Sequence, residues 1–223
     1  MLPRVLEPEV MDTEEEARDY DSMDHSAVNA LFVSDFLAEV AGPAPLAGQV
    51  LDLGTGTAQI PIELCRRDPS ALVVAVDLAD HMLALARKNV DRAGLAARIQ
   101  LDKGDGKKLP YRDSIFFAVM SNSIVHHIPE PKSALEEALR VTRRGGRLFF
   151  RDLLRPETDA DVRRLVDTYA AGANDHQRSL FDASLRAALT LDEVKTLVDE
   201  LGLCRNCVQQ TSDRHWTFAS IVA

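Results

Sequence analysis

Hydrophobic positions along the chain alternate between two habits: short unbroken apolar runs, and longer stretches striped at about 3.6 residues. The first stripe carries Val28, Leu31, Phe32 and Val40. It predicts an amphipathic helix, stopped by Gly42-Pro43-Ala44-Pro45. Ahead of it, residues 1–22 are acidic and proline-bearing and read as loose at their start. Runs at 49–53, 71–76, 98–101, 115–120 and 147–152 then predict five strands. The second, β-branched and wholly apolar, has the pattern of a strand buried on both faces. Between them lie a helix with Pro61 in its first turn, one capped by Asp80 and ended by Gly94, and one bearing Leu135, Ala138 and Leu139 that closes at Gly145.

After the fifth run, Val162, Leu165, Val166 and Tyr169 make another helical stripe, and a further helix spans about 180–189. Thr190-Leu191-Asp192-Glu193 is a capping box, followed by the stripe Val194, Leu197, Val198, Leu201 and by Gly202. Residues 203–222 read as two strands around Thr211-Ser212-Asp213-Arg214, a hairpin. Strands separated by helices imply right-handed parallel crossovers and an α/β, doubly wound sheet, with one antiparallel strand added by the hairpin. The length of 223 residues suits one domain, 1–223,. A cap segment at 1–45 and a helical lid at 154–190 are its expected elaborations.

Composition changes this picture in three places. The formal net charge is -9, and no basic stripe stands out to displace counterions from phosphates, so a nucleic-acid partner is disfavoured. The nearest approach to one, Arg143-Arg144-Gly145-Gly146-Arg147, reads better as a helix end and turn. No run reaches the roughly 20 apolar residues of a membrane span. The opening Met1-Leu2-Pro3-Arg4 lacks the order of a secretory signal, so a cytoplasmic location is the expectation. Three cysteines suit a reduced compartment,. Cys204 and Cys207 form a C-x-x-C that, on a strand, faces opposite ways and does not chelate.

In a doubly wound sheet the ligand lies beyond the carboxyl ends of the strands, beside the first. Leu51-Asp52-Leu53-Gly54-Thr55-Gly56-Thr57 stands there. Alone, its G-x-G serves a ligand loop or a plain tight turn equally well. Gln59 occupies the place of the third glycine of a dinucleotide fingerprint. Asp77 closes the second strand and can accept both hydroxyls of a ribose, each charge-assisted bond worth about 1.5–3 kcal/mol; the alternative is a helix-capping carboxylate. Asp105, in Lys103-Gly104-Asp105-Gly106, can accept an adenine amino group or be a solvated turn residue. Past the fourth strand comes Ser121-Asn122-Ser123-Ile124-Val125-His126-His127-Ile128-Pro129. Either histidine there can be a general base or a packing residue. A metal is disfavoured, because no third ligand lies within sequence reach.

Taken in order and spacing, these residues resemble the class I S-adenosylmethionine-dependent methyltransferases, above all members acting on small molecules such as the ubiquinone and menaquinone type. The resemblance covers about residues 20–153 plus the closing hairpin. It implies a Rossmann-like, seven-stranded, mostly parallel sheet in the order 3-2-1-4-5-7-6, with strand 7 antiparallel. It also implies S-adenosylmethionine as cofactor, S-adenosylhomocysteine as product, and in-line methyl transfer to an O, N, C or S nucleophile of a small-molecule acceptor. By that likeness the cofactor-binding residues are Tyr20, Asp52, Gly54, Thr55, Gly56, Asp77, Leu78, Met82, Asp105, Gly106, Ser121 and Asn122. His126 and His127 are the catalytic candidates. Ser121-Asn122-Ser123-Ile124 stands where base-amino methyltransferases carry an Asn/Asp-Pro-Pro-aromatic stretch, which argues against a nucleobase acceptor. A nicotinamide oxidoreductase and a non-catalytic S-adenosylmethionine-binding module are the alternatives. The polar group Asn174-Asp175-His176-Gln177-Arg178 either meets substrate or is a solvated interhelical loop.

Overall fold

The computed structural model describes residues 2–10, 12–40 and 46–223. The proposed stop at Gly42-Pro43-Ala44-Pro45 lies outside them. Seven strands, β1 (Val50–Leu53), β2 (Val73–Asp77), β3 (Ile99–Lys103), β4 (Phe116–Asn122), β5 (Thr142–Leu153), β6 (Val208–Gln210) and β7 (His215–Ile221), form one sheet in the order β3-β2-β1-β4-β5-β7-β6. Strands β3 to β5 are parallel, and β7 runs antiparallel to both β5 and β6. This is the expected doubly wound architecture.

Alternation along the strands separates two cores. Val50, Val73, Ala75, Ala118, Met120 and Phe149 turn one way, toward α2 (Ser26–Val40), α3 (Gln59–Arg67) and α4 (Asp80–Ala93). Leu51, Leu53, Val74, Val76, Val119, Phe150 and Phe218 turn the other way, toward α5 (Pro131–Val141) and α8 (Leu191–Glu200). Edge-to-face contacts of Phe32 and Phe36 with Phe149 fasten α2 to the sheet. Each such aromatic pair adds about 0.5–1.5 kcal/mol beyond its buried area. Helices α6 (Asp159–Tyr169) and α7 (Asp175–Ala187) close a separate small core of Leu153, Val162, Leu165, Val166 and Leu185.

Several local expectations are corrected. The acidic opening contains a helix, α1 (Glu14–Ser22), started by a capping box in which Thr13 accepts from the Glu16 amide and Glu16 reaches back. Leu31 is exposed, and Val33 and Phe36 take the buried face of α2 instead. Asp80 is the first residue of α4, not its cap; Ala79 precedes it, its amide held by Asp77. Tyr169 leaves the α6 stripe for the surface, where Arg214 stacks on its ring 3.3 Å from the centroid. Arg143-Arg144-Gly145-Gly146 is an insertion within β5, since Phe116 pairs with Thr142 but Ala118 pairs with Arg147. Arg205–Cys207 is a short 3-10 turn rather than strand, which removes the premise that Cys204 and Cys207 face opposite ways.

The Thr190–Glu193 box forms as read, and Glu193 also receives Arg155 at 2.6 Å. Thr190→Ala is therefore expected to cost about 1 kcal/mol. The single tryptophan, Trp216, is 1% exposed, so its fluorescence reports the denaturant midpoint; an unshifted midpoint contradicts the cap.

Candidate functional site

Three strand ends meet at the site. β1 runs straight into Gly54, whose φ of +76° favours glycine,. A Cβ there would stand 2.1 Å from Cγ2 of Ile124. The Gly54 and Thr55 amides both donate to the Val76 carbonyl at the end of β2, each at 2.9 Å. One turn further, the Gly56 amide donates to Asp77 at 2.7 Å, while the other Asp77 oxygen accepts from Ala79 at 2.9 Å. Asp77 thus ties the glycine loop to Ala79, the residue ahead of α4. Ser121 is buried in β4 and donates to the Leu53 carbonyl at 2.8 Å. It sets the spacing of β1 and β4 from beneath.

Above these ends opens a cleft, the concave setting usual for small-molecule sites. Tyr20, Gly54, Gly56, Asp77, Leu78, Met82, Asp105, Gly106, Asn122 and His127 line it. Asp52, Thr55, Ser121 and His126 do not; they are buried below or behind its wall. Sequence reasoning missed Ile124, Ile128, Glu9, Val10 and Lys107, which also line it. Residues 174–178 stay away from it: Asn174 and Gln177 form the capping box of α7, and Arg178 binds the Ala170 carbonyl and Asp167.

The electrostatics are those of a buried acidic site. Burial pushes the Asp52 carboxyl up to about 7, and the Asp77 carboxylate adds to this against a pull from the Thr55 hydroxyl. The Asp77 pKa is likewise raised by burial, against the amides of Ala79, Gly56 and Leu78. Tyr20 is pushed up to about 12 by burial and by Asp77, Asp52 and Asp21. Asp52 Oδ2 and Asn122 Oδ1 are buried without a hydrogen-bond partner. Asp105 accepts from the Lys107 amide at 2.9 Å, and the Lys107 ammonium bridges it to Glu9.

A second group of polar side chains stands at the cleft edge. His126 and His127 lie on a 3-10 turn, Val125–His127, with ring centroids 4.2 Å apart. His126 is buried, its Nδ1 on Asp152, the penultimate residue of β5; Asp152 also accepts from the Val125 and Leu153 amides. Burial alone would lower the His126 pKa, but the Asp152 carboxylate raises it overall. Glu7 comes within 3.1 Å of His127 Nδ1 and 3.6 Å of His126 Nε2. The third acidic neighbour missing from the sequence reading is therefore present, more than a hundred residues upstream. No local pattern marks it, because a long-range tether puts it there: Arg4 donates to the carbonyls of Ala187, Ile128 and His126.

Residues 51–150 match the methyltransferase-domain family. Over 107 residues the chain is 35% identical to a ubiquinone/menaquinone biosynthesis C-methyltransferase of Roseobacter denitrificans, covering 48% of this chain and 43% of that protein. It is 30% identical over 155 residues to the methyltransferase GfsG of Streptomyces halstedii, covering 70% of this chain and 52% of that one. The chain thus spans about half the length of these curated relatives or less. A crystal structure of an S-adenosylmethionine-dependent methyltransferase from Aquifex aeolicus superposes with a TM-score of 0.70 at 19% identity, over 95% of this chain and 99% of that one.

The raised Asp52 pKa sets a direction for stability. The unfolded carboxyl titrates near 3.9 and the folded one at about 7. The folded chain therefore holds more protons across that window, and stability falls as pH rises through it. Asp52→Asn is expected to flatten this fall, so that the variant gains on the parent between pH 4 and pH 8 in denaturant unfolding. A difference independent of pH would show that Asp52 does not titrate there.

Proposed function

We propose, from the match of residues 51–150 to the methyltransferase-domain family, that the chain transfers a methyl group from S-adenosylmethionine to a small-molecule acceptor. The observation that carries this reading is the convergence of the Gly54–Gly56 loop, Asp77 and Asp105 on one cleft. A carboxylate-rich cleft suits a cofactor with an ammonium, a sulfonium and free ribose hydroxyls. It is poorly matched to the pyrophosphate of a nicotinamide dinucleotide. The unpartnered Asn122 Oδ1 is an acceptor on the cleft lining where an ammonium would find it, with Asp52 buried behind that wall.

In this reading Asp77 holds the ribose, while Leu78, Met82, Asp105 and Gly106 receive the adenine. Gly54, Gly56, Asn122 and Tyr20 enclose the amino-acid end. Asp52 and Thr55 brace the loop from below, and Ser121 keeps β1 and β4 in register. When bound, the cofactor supplies an already reactive sulfonium methyl. The residues of this chain then have to align an acceptor and exclude water from it. The apolar side chains of Ile124 and Ile128 on the cleft lining serve the exclusion. Of the two histidines, His127 borders the cleft and is the acceptor-side catalytic residue; His126 positions it from behind. The acceptor meets no broad basic surface, in keeping with the net charge of -9 and a small molecule rather than a nucleic acid. Among the described residues no helix is long and apolar enough to cross a membrane.

Calorimetry tests the cofactor directly. Micromolar binding of S-adenosylmethionine and S-adenosylhomocysteine, with no heat from NADH, is the expected result. Asp77→Ala should weaken both by about 2–3 kcal/mol through lost charge-assisted bonds; undiminished affinity removes Asp77 from the ribose. With an identified acceptor, His127→Ala should lower turnover more than cofactor affinity. Unaltered turnover would take His127 out of the acceptor site.

A further inference from the structure

The cluster of Glu7, His126 and His127 is left without a complete set of partners by everything described so far. The Glu7 side chain is only 7% exposed. Its Oε1 has no hydrogen-bond partner, and neither does His127 Nδ1, although the two atoms stand 3.1 Å apart. Three candidate ligand atoms, Glu7 Oε1, His126 Nε2 and one ring nitrogen of His127, lie within 4.8 Å of one another. It is the one such group of histidine, cysteine and carboxylate ligands among the described residues. We propose that Glu7, His126 and His127 hold a divalent transition-metal ion of the zinc class, with a further coordination position open toward the cleft.

The donor set fits that chemistry. Two imidazoles and one carboxylate suit zinc and its neighbours in the first transition row, whereas magnesium and calcium seek oxygen alone. Bonds of about 2.0–2.2 Å to each donor place donors about 3–3.6 Å apart. The Glu7 pairs, at 3.1 and 3.6 Å, already stand there. Behind the site, Asp152 binds His126 Nδ1. With Nδ1 bound by that carboxylate, Nε2 is the ring nitrogen left for a metal, the arrangement in which carboxylates orient metal-binding histidines.

The surrounding charges leave room for a cation. Arg4 faces the cluster, but its guanidinium is spent on the carbonyls of Ala187, Ile128, Pro129 and His126. Arg155 is engaged by Glu193, and Asp152 adds a second buried negative charge beside Glu7. Because His127 also lines the cleft, the open position faces the acceptor. The acceptor then belongs to the class bearing a hydroxyl or carboxylate oxygen next to the methylated atom. That consequence rests on the methyl-transfer reading; the metal site itself does not.

The test uses the full chain, stripped with a chelator and titrated at neutral pH with zinc and, separately, with cobalt(II), whose visible bands report its ligands. Magnesium serves as the hard-ion control. Expected are one equivalent of zinc at micromolar affinity or tighter, strong cobalt bands, and no magnesium binding. Glu7→Gln and His127→Ala, each shown folded by circular dichroism, should lose at least about 100-fold in affinity, since even outer-shell changes cost about 10–100-fold. Cys204→Ser with Cys207→Ser should retain full binding. No stoichiometric zinc binding, or affinity held by both ligand variants, overturns the proposal and leaves a proton shared between Glu7 and His127. Titrating the same samples with S-adenosylmethionine scores the cofactor separately from the metal.

Discussion

Gly54 and Ile124 pack closer than any side chain at position 54 would allow, and the rest of the site is arranged around that approach. The glycine lets β1 turn at once, so that its next amides reach Val76 and Asp77 on the neighbouring strand. Ile124 follows immediately on β4 and presses from the other side. Helices leave β1 and β4 toward opposite faces of the sheet, so the gap between the two exits becomes a cleft. A Cβ at position 54 would force Ile124 away, and with it the turn that carries Val125, His126 and His127. One steric limit therefore couples the glycine-loop end of the cleft to the histidine end.

Asp152 shows how the second half of the sheet joins in. It sits one residue before the end of β5, and its two oxygens serve the Val125 amide, the Leu153 amide and His126. A single buried carboxylate thus fixes both the backbone of the histidine turn and the orientation of one ring. Removing it would leave those donors in a dry environment, where an unpaired polar group costs about 1–3 kcal/mol or more. Burial raises the pKa values of Asp52 and Asp77, whereas nearby donors lower that of the equally buried Asp152. Carboxyls of different character therefore stand within a few strands of one another.

The strands were legible in the chain because buried parallel strands carry an unbroken apolar signal, as at 71–76, and because Gly94 and Gly202 punctuate it; their order followed from the family resemblance, and the helix expected to close at Gly145 ends instead at Val141. Gly54, Gly56, Asp77 and Asp105 were legible because each lies just past a strand, where local sequence and topology coincide. The opening thirty residues were harder. The capping box at Thr13 and Glu16 sits in an acidic stretch of low apolar content, and α1 is held mainly by Ala17 and Tyr20 against Ala79 and Met82. Glu7 and Arg4 carry no periodic signal at all, because their partners lie far along the chain. Tyr169 and Leu31 show the opposite error, apolar residues in phase with a stripe yet turned to the surface by what the neighbouring elements already fill.

The tether of the amino-terminal segment fixes an order of events in folding. Arg4 is 183 residues from Ala187 and 124 from Ile128 in sequence, and contacts of such separation form late, since long loops must close before they are rewarded. On the ribosome, residues 4–9 emerge ahead of every element they will touch. They must wait, solvated, while the sheet and its later helices are built behind them. The wall that completes the cleft is thus its oldest stretch of chain and its last to settle, and an unfinished copy would present an open, unscreened glycine loop until then.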